Sequence, residues 1–283
     1  MIRNMLEITQ HKKEAAVYDL RDTLFIPIQE RLFTAQVVAT NYGILANSMC
    51  AVAFVYELGL ELLTCLEDGA AVKPGDVILT FRGTPKSVAI AEDRVLGSMM
   101  VPSGYATRAR QLQIIAGSNL KVVCGGWKKL PQESKPGLHA ALAAGGIGMR
   151  MVEGPFVYID KNYVSMFGGV GQALQAAAQF PDHKTVIQIR GELQSIAEET
   201  EAAVHGRANV LMVDTGSLND LKIVLQILDQ LNARHRVKVA FAGSVTEETL
   251  LLLRDVPVDL VDVGASILNA PLLDMRLEVK LSE

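Results

Sequence analysis

The second half of the chain repeats one pattern six times, and that repetition limits the fold more than anything else in the sequence. Short apolar runs stand at KVVC (121), PFVYI (near 157), KTVIQI (near 187), ANVLMV (near 211), RVKVAFA (near 239) and VDLVDV (near 261). They recur every 22 to 34 residues or so, the length of one βα unit. Between them lie helical segments such as LQSIAEETEAAVH, LNDLKIVLQILDQL and VTEETLLLLRD. Uninterrupted apolar strands flanked by helices predict a parallel sheet covered on both faces. Six repeats favour a barrel, closed or nearly so, over the competing doubly wound open sheet.

Residues 31–83 read differently. Short apolar runs are split by turn signals at Asp68-Gly69 and Pro74-Gly75, and VILTF alternates like a strand, which predicts a small α+β unit. A long helical stretch follows Pro85, with Ser87 as its N-cap and a break at Pro102-Ser103-Gly104 before YATRARQLQIIAG. This stretch is expected to bridge two domains, 1–105 and 106–283, with the C-terminal tail able to return to the first. At 283 residues, 49% apolar and 20% charged, the chain is long enough for a large core, and its composition excludes disorder and collagen.

Several function classes drop out. The net charge of −4 and the lack of a basic block argue against nucleic acid. The charged N-terminus and the absence of an eighteen-residue apolar run argue against a signal peptide or a membrane span. Cys50, Cys65 and Cys124 are too scattered for a disulfide framework or zinc site, which suits a reducing cytoplasm.

In either parallel architecture, chemistry belongs at the C-terminal ends of the strands. The runs AFAGS and VDVGAS each end in glycine and a small hydroxyl residue. Backbone amides there, aided by a helix N-terminus, can cup a phosphate; otherwise the glycines only turn tight corners. Gly243, Ser244, Gly264 and Ala265 are the phosphate-binding candidates. Residues 101–161 carry eight basic side chains against three acidic ones, +5 in an acidic chain, which suits an anionic ligand; a solvated face better explains any single lysine, so only the cluster carries weight. The loop GGWKKLPQESKPG is a candidate lid, with Trp127 either stacking on a ring or anchoring it. Asp160 and Asp214 end strands and could hold magnesium, accept from sugar hydroxyls, or cap the next helix. The five histidines are too dispersed to form a site.

GILANSMCAVAFVYELGL, EDGAAVKPGDVILTFRGTP, AEDRVLGSMMVPSGYATRARQL, AGGIGMR, VYIDKNY, NVLMVD, VAFAGSVTEE and VDLVDVGASILNAPLLDMRLEV follow one another over residues 22–279 or so. In that order they resemble the quinolinate phosphoribosyltransferase family, also called carboxylating nicotinate-nucleotide pyrophosphorylase. The resemblance implies an N-terminal α/β sandwich domain and a partial TIM-like α/β barrel, in a homodimer whose sites are completed by the partner's first domain. It implies transfer of ribose 5-phosphate from phosphoribosyl pyrophosphate, with Mg2+, to quinolinate or a related aromatic acid, and loss of carbon dioxide to give nicotinate mononucleotide for NAD biosynthesis.

Carried over residue by residue, the resemblance makes Lys161 and Asp214 catalytic, with Asp214 also the magnesium ligand. It makes Arg94, Lys128, Lys129, Arg150 and Arg190 substrate-binding. The sequence departs from the family pattern at several of these. The linking-helix arginine, Arg94, is shifted by one residue in Glu92-Asp93-Arg94, and GWKKLPQESKPG replaces an arginine-bearing loop. The family's His-Arg is Met149-Arg150, its Lys-Asp-Asn-His is Asp160-Lys161-Asn162-Tyr163, and Arg190 stands in place of a glutamate. These departures also fit a second reading, a non-catalytic or regulatory ribose-phosphate-binding homologue.

Overall fold

The computed structural model describes residues 19–280. The reading of the first eighteen residues, His11 included, lies outside them. The chain enters through α1 (Leu20–Leu24), whose N-terminus is capped by the Asp19 carboxylate accepting from the Arg21 amide at 3.0 Å. There follow β1 (Phe33–Ala39), β2 (Gly43–Ile44), α2 (Ser48–Glu57), β3 (Glu61–Cys65), β4 (Ala71–Val72), β5 (Val77–Gly83) and the linking helix α3 (Pro85–Ala116). One antiparallel sheet, which takes in β12 (Met275–Lys280) at one edge, runs β12-β1-β5-β3 and forms the base of this domain. That edge strand comes from the far end of the chain and pairs with β1 from Ala39↔Met275 to Thr34↔Lys280. Ala35, Val37, Leu79 and Phe81 pack from the sheet against Ala51 and Val55 of α2 and Val88, Ala91, Val95 and Met99 of α3.

Helix α3 does not break at Pro102. A proline inside a helix leaves the carbonyl four residues earlier without its amide donor. Here that carbonyl, on Ser98, is taken by Asn47 Nδ2 at 2.7 Å. Ser103 Oγ accepts from the Ala46 amide at 2.9 Å, and Gly104 is pressed against residues 271 and 272, where an added Cβ would overlap the Pro271 carbonyl oxygen and lie 2.8 Å from Leu272 Cα. The Pro-Ser-Gly triplet therefore lets other backbone approach an unbroken helix of about 48 Å. The helix starts at Thr84 with Pro85 in its first turn, three residues before the predicted Ser87 cap. Asn47→Ala removes the donor to Ser98 and puts alanine at φ 66°, so it should cost about 1–3 kcal/mol in urea denaturation.

The second domain bears out the α/β reading. It contains β6 (Lys121–Val123), α4 (Lys135–Gly145), β7 (Phe156–Ile159), α5 (Lys161–Phe167), α6 (Val170–Ala177), β8 (Lys184–Ile189) and α7 (Ile196–His205). It continues with β9 (Val210–Val213), α8 (Leu218–Gln230), β10 (Lys238–Phe241), α9 (Glu247–Leu253), β11 (Leu260–Asp262) and α10 (Gly264–Leu268). The six parallel strands run β6-β11-β10-β9-β8-β7. Strands follow chain order around the wall and β6 closes onto β11, but β6 and β7 do not pair. A single bridge, Val123↔Gly148, stands on the open side. The barrel is thus incomplete between Gly148 and β7.

Alternation along each strand separates two apolar layers. Ile187, Ile189, Leu211, Val213, Val239, Phe241 and Val261 pack outward under the helices. Val186, Val210, Met212, Ala240, Ala242 and Leu260 pack with one another on the inner side. Both faces are buried, which is why the strands read as unbroken apolar runs. Among the described residues no helix is long and apolar enough to cross a membrane.

Candidate functional site

A cavity of about 850 Å³ opens at the C-terminal ends of the barrel strands. Its apolar lining comes from the inner layer and its edge: Met151, Phe156, Val186, Met212 and Ala242. The next inward positions along the same strands are polar. Gln188 follows Val186, Asp214 follows Met212, and Asp262 follows Leu260, so strand periodicity alone aims three hydrogen-bonding groups into the space above the apolar layer.

These groups are tied together. Gln188 Nε2 donates to Asp214 Oδ2 at 3.0 Å and to the Tyr158 hydroxyl at 2.8 Å, while its Oε1 accepts from the Lys161 amide at 2.7 Å. Arg190 Nη1 donates to Asp214 Oδ2 at 2.8 Å and to the Asp214 carbonyl at 2.7 Å, and its Nε donates to Glu192 at 2.7 Å. Hydrogen bonding to Glu192 raises the Arg190 pKa, so this cation is permanent. Burial, with the charge of Asp214 adding to it, pushes the Tyr158 phenol well above its ordinary value and keeps it protonated. The Cys124 thiol, pushed up to about 11 by burial, is not a nucleophile at neutral pH.

The glycine turns behave unequally. Gly243 has φ +102° and Ser244 φ +50°, and none of the Gly243, Ser244 and Val245 amides has an acceptor among the described residues. All three residues line the cavity, as does Ala265 in the first turn of α10, whose amide also has no acceptor among the described residues. Gly264, predicted to serve the phosphate, instead donates to Asp262 Oδ1 at 3.0 Å. The same oxygen accepts from the Gly125 amide at 2.9 Å, so one carboxylate fastens the loop after β6 to the turn after β11.

Burial raises the Asp262 pKa in spite of these two bonds. A carboxyl whose folded pKa is raised contributes stability at low pH that is lost as the pH climbs through the folded value. Asp262→Asn keeps an oxygen for both amides and cannot ionise. It should abolish that pH dependence in thermal melts and leave neutral-pH stability equal or higher.

Of the side chains and turns singled out in the sequence, the cavity gathers Lys128, Lys129, Arg150, Asp214, Gly243, Ser244, Gly264 and Ala265. Lys128, Lys129 and Arg150 form no ion pair among the described residues; Arg150 lies over the Phe156 ring at 5.9 Å. Lys161 and Arg190 are outside the lining, on a small adjoining pocket with Glu192 and Glu199. Arg94 lies on α3, doubly bonded to Glu57 at 3.0 Å and stacked 4.4 Å over Phe54.

Asp160 lines the cavity but spends its carboxylate capping α5, accepting from Asn162 and Tyr163 amides. Asp214 caps nothing, since Ser217 caps α8. The predicted lid is ordered as two short 3-10 turns, Gly126–Lys129 and Gln132–Ser134, with Lys135 Nζ 4.9 Å over Trp127. His139 also lines the cavity. It, Tyr158 and Asp262 were not singled out as site residues, although the inward alternation of β7 and β11 marks the latter two.

Magnesium does not fit at Asp214. Its Oδ2 is already filled by an amide and a guanidinium, and among the described residues no three His, Cys, Asp or Glu side chains are grouped to hold a metal.

Two family models match nearly end to end: quinolinate phosphoribosyl transferase, N-terminal domain, over 20–103, and the C-terminal domain over 105–278. The probable nicotinate-nucleotide pyrophosphorylase [carboxylating] of Archaeoglobus fulgidus is 26% identical over 265 residues, which span 91% of this chain and 98% of that protein. Quinolinate phosphoribosyltransferase [decarboxylating] 2a of Nicotiana tabacum is 25% identical, over 87% of this chain and 73% of its own. The solved nicotinate-nucleotide pyrophosphorylase of Francisella tularensis superposes with a TM-score of 0.79 at 20% identity, covering 94% of this chain and 92% of that one, and so shares the fold. With both domains matched in order over nearly all of its length, this chain belongs to the quinolinate phosphoribosyl transferase family.

Proposed function

We propose that the protein is a pentosyltransferase that moves ribose 5-phosphate from phosphoribosyl pyrophosphate to quinolinate or a closely related aromatic acid, forming nicotinate mononucleotide for NAD biosynthesis. The observation that carries this reading is the conjunction, in one cavity of a chain matched by both family domains, of free backbone amides and unpaired cations. The Gly243–Val245 turn offers the amides, and Lys128, Lys129 and Arg150 offer the charge. A phosphate ester fits the former and a pyrophosphate or aromatic carboxylate the latter.

In the transfer, the bond from ribose C1 to the pyrophosphate oxygen breaks and its electron pair leaves on pyrophosphate, while the ring nitrogen of the acceptor forms the new bond to C1. The positive ring then draws the electron pair of the breaking bond to the departing carboxylate, and the ring carbon takes a proton. The chain's part is positioning and charge neutralisation. Asp214 accepts from ribose hydroxyls through its remaining oxygen. Lys128 and Lys129 neutralise the leaving pyrophosphate, and Arg150 pairs with an acceptor carboxylate. The apolar lining with Phe156 and Met212 takes the flat ring.

Arg94 serves the cavity only from a neighbouring subunit, so this reading includes a homodimer, and a cytoplasmic one because the sequence spaces Cys50, Cys65 and Cys124 too far apart for a disulfide framework. Lys161 acts through its backbone amide on Gln188. The test is incubation with quinolinate and phosphoribosyl pyrophosphate, followed by chromatography. Nicotinate mononucleotide and pyrophosphate in equal amounts are the expected products. No product from quinolinate or nicotinate would remove this reading.

A further inference from the structure

Three carboxylates line the cavity, and the protein itself has engaged each one. Asp160 Oδ1 accepts from the Asn162 and Tyr163 amides at 2.9 and 3.1 Å. Asp262 Oδ1 accepts from Gly125 and Gly264. Asp214 Oδ2 accepts from Gln188 and Arg190.

Arg190 is held unusually firmly for a partly exposed arginine. Its Nη1 bonds both the carboxylate and the carbonyl of Asp214, and its Nε bonds Glu192. Its own amide donates to Glu199 Oε2 at 2.8 Å, a carboxylate that is only 3% exposed and also takes the Gly191 amide at 2.9 Å. The guanidinium is therefore a fixed charge against Asp214. A divalent ion at this carboxylate would sit beside a like charge that has nowhere to go, and magnesium needs several oxygens in near-octahedral array.

We infer that Arg190 is a positioning residue that takes the place of a divalent cation at Asp214, so that the site grips phosphorylated ribose without metal. Arg190 fixes the Asp214 carboxylate for the sugar hydroxyls. Lys128, Lys129, Arg150 and the Gly243–Val245 amides neutralise the phosphate charge that a metal would otherwise share. In what it says of the ligand, the inference rests on the phosphoribosyl reading above.

Two measurements on the intact protein test it. Calorimetric titration with ribose 5-phosphate should give dissociation constants within about threefold of each other in EDTA and in excess magnesium. Manganese, followed by electron paramagnetic resonance on the free protein, should bind more weakly than about 1 mM. Arg190→Glu places a third carboxylate beside Asp214 and Glu192. It should bind manganese at least about tenfold tighter than the wild type and make ribose 5-phosphate binding metal-dependent. Arg190→Gln, which removes the cation without adding a ligand, should weaken ribose 5-phosphate about three- to tenfold and still bind no manganese.

The inference is overturned if wild-type affinity for ribose 5-phosphate falls about tenfold or more in EDTA. It is equally overturned if the wild type binds manganese in the micromolar range and Asp214→Asn abolishes that binding. Should ribose 5-phosphate bind under neither condition, the phosphoribosyl reading fails, and the manganese measurements on wild type and Arg190→Glu still decide the role of Arg190. The wild-type arms do not depend on whether Arg190→Glu folds.

Discussion

Gly243→Ala should lower affinity for ribose 5-phosphate by about 100-fold or more and cost the fold about 2–4 kcal/mol. Gly243 has φ +102°, a conformation in which a Cβ is strained, and the atoms that the new methyl would meet are backbone. It would overlap the Gly216 nitrogen and lie 2.9 Å from Gly216 Cα and 3.0 Å from the Thr215 carbonyl carbon. Backbone cannot rotate away as a side chain can. Gly216 is pinned in turn, because its amide donates to the Ala242 carbonyl at 3.0 Å. The loops after β9 and β10 are thus in glycine-to-glycine contact, and moving one displaces both the phosphate turn and the segment that carries Asp214. Calorimetry with ribose 5-phosphate and urea denaturation read the two effects separately. Unchanged affinity in a folded variant would place the phosphate elsewhere.

The second large effect dissociates function from stability. Replacing Lys128 and Arg150 together by alanine should lower kcat/KM for quinolinate about 10³-fold, some 4 kcal/mol of transition-state stabilisation. Each faces the cavity on an exposed stretch and neither forms an ion pair among the described residues, so the denaturation midpoint should correspond to a change within about 0.5 kcal/mol. Stability falling in step with activity would show that the two cations are structural. A drop confined to the KM for the aromatic acid on Arg150→Ala alone would assign that residue to the acceptor rather than the pyrophosphate.

The strands were legible because burial on both faces leaves a strand no polar positions until it reaches the site. Val186, Ile187 and Leu211 declare the sheet, and Gln188, Asp214 and Asp262 mark where it ends. What could not be read was anything decided across long separations in the chain. Pro102 looks like a helix end until Asn47 supplies the missing donor to Ser98, 51 residues away from it. Gly264 looks like a phosphate ligand until Asp262 claims its amide. Arg190 follows the inward parity of Val186 and Gln188, yet the strand stops at Ile189 and its guanidinium turns to Asp214 and Glu192. Lys161, at the start of α5, reads in sequence as a catalytic lysine, but the bond seen there is its amide donating to Gln188. Local pattern fixes which residues point inward; which of them remain free for a ligand depends on neighbours from other strands.

The most direct measurement is a crystal structure of the protein soaked with ribose 5-phosphate. The phosphate is expected within hydrogen-bonding distance of the Gly243, Ser244 and Val245 amides, with the sugar hydroxyls on Asp214 and the Arg190 bridge intact. A sugar phosphate bound away from the 243–245 turn, or one that leaves those amides facing solvent, would contradict the site described above.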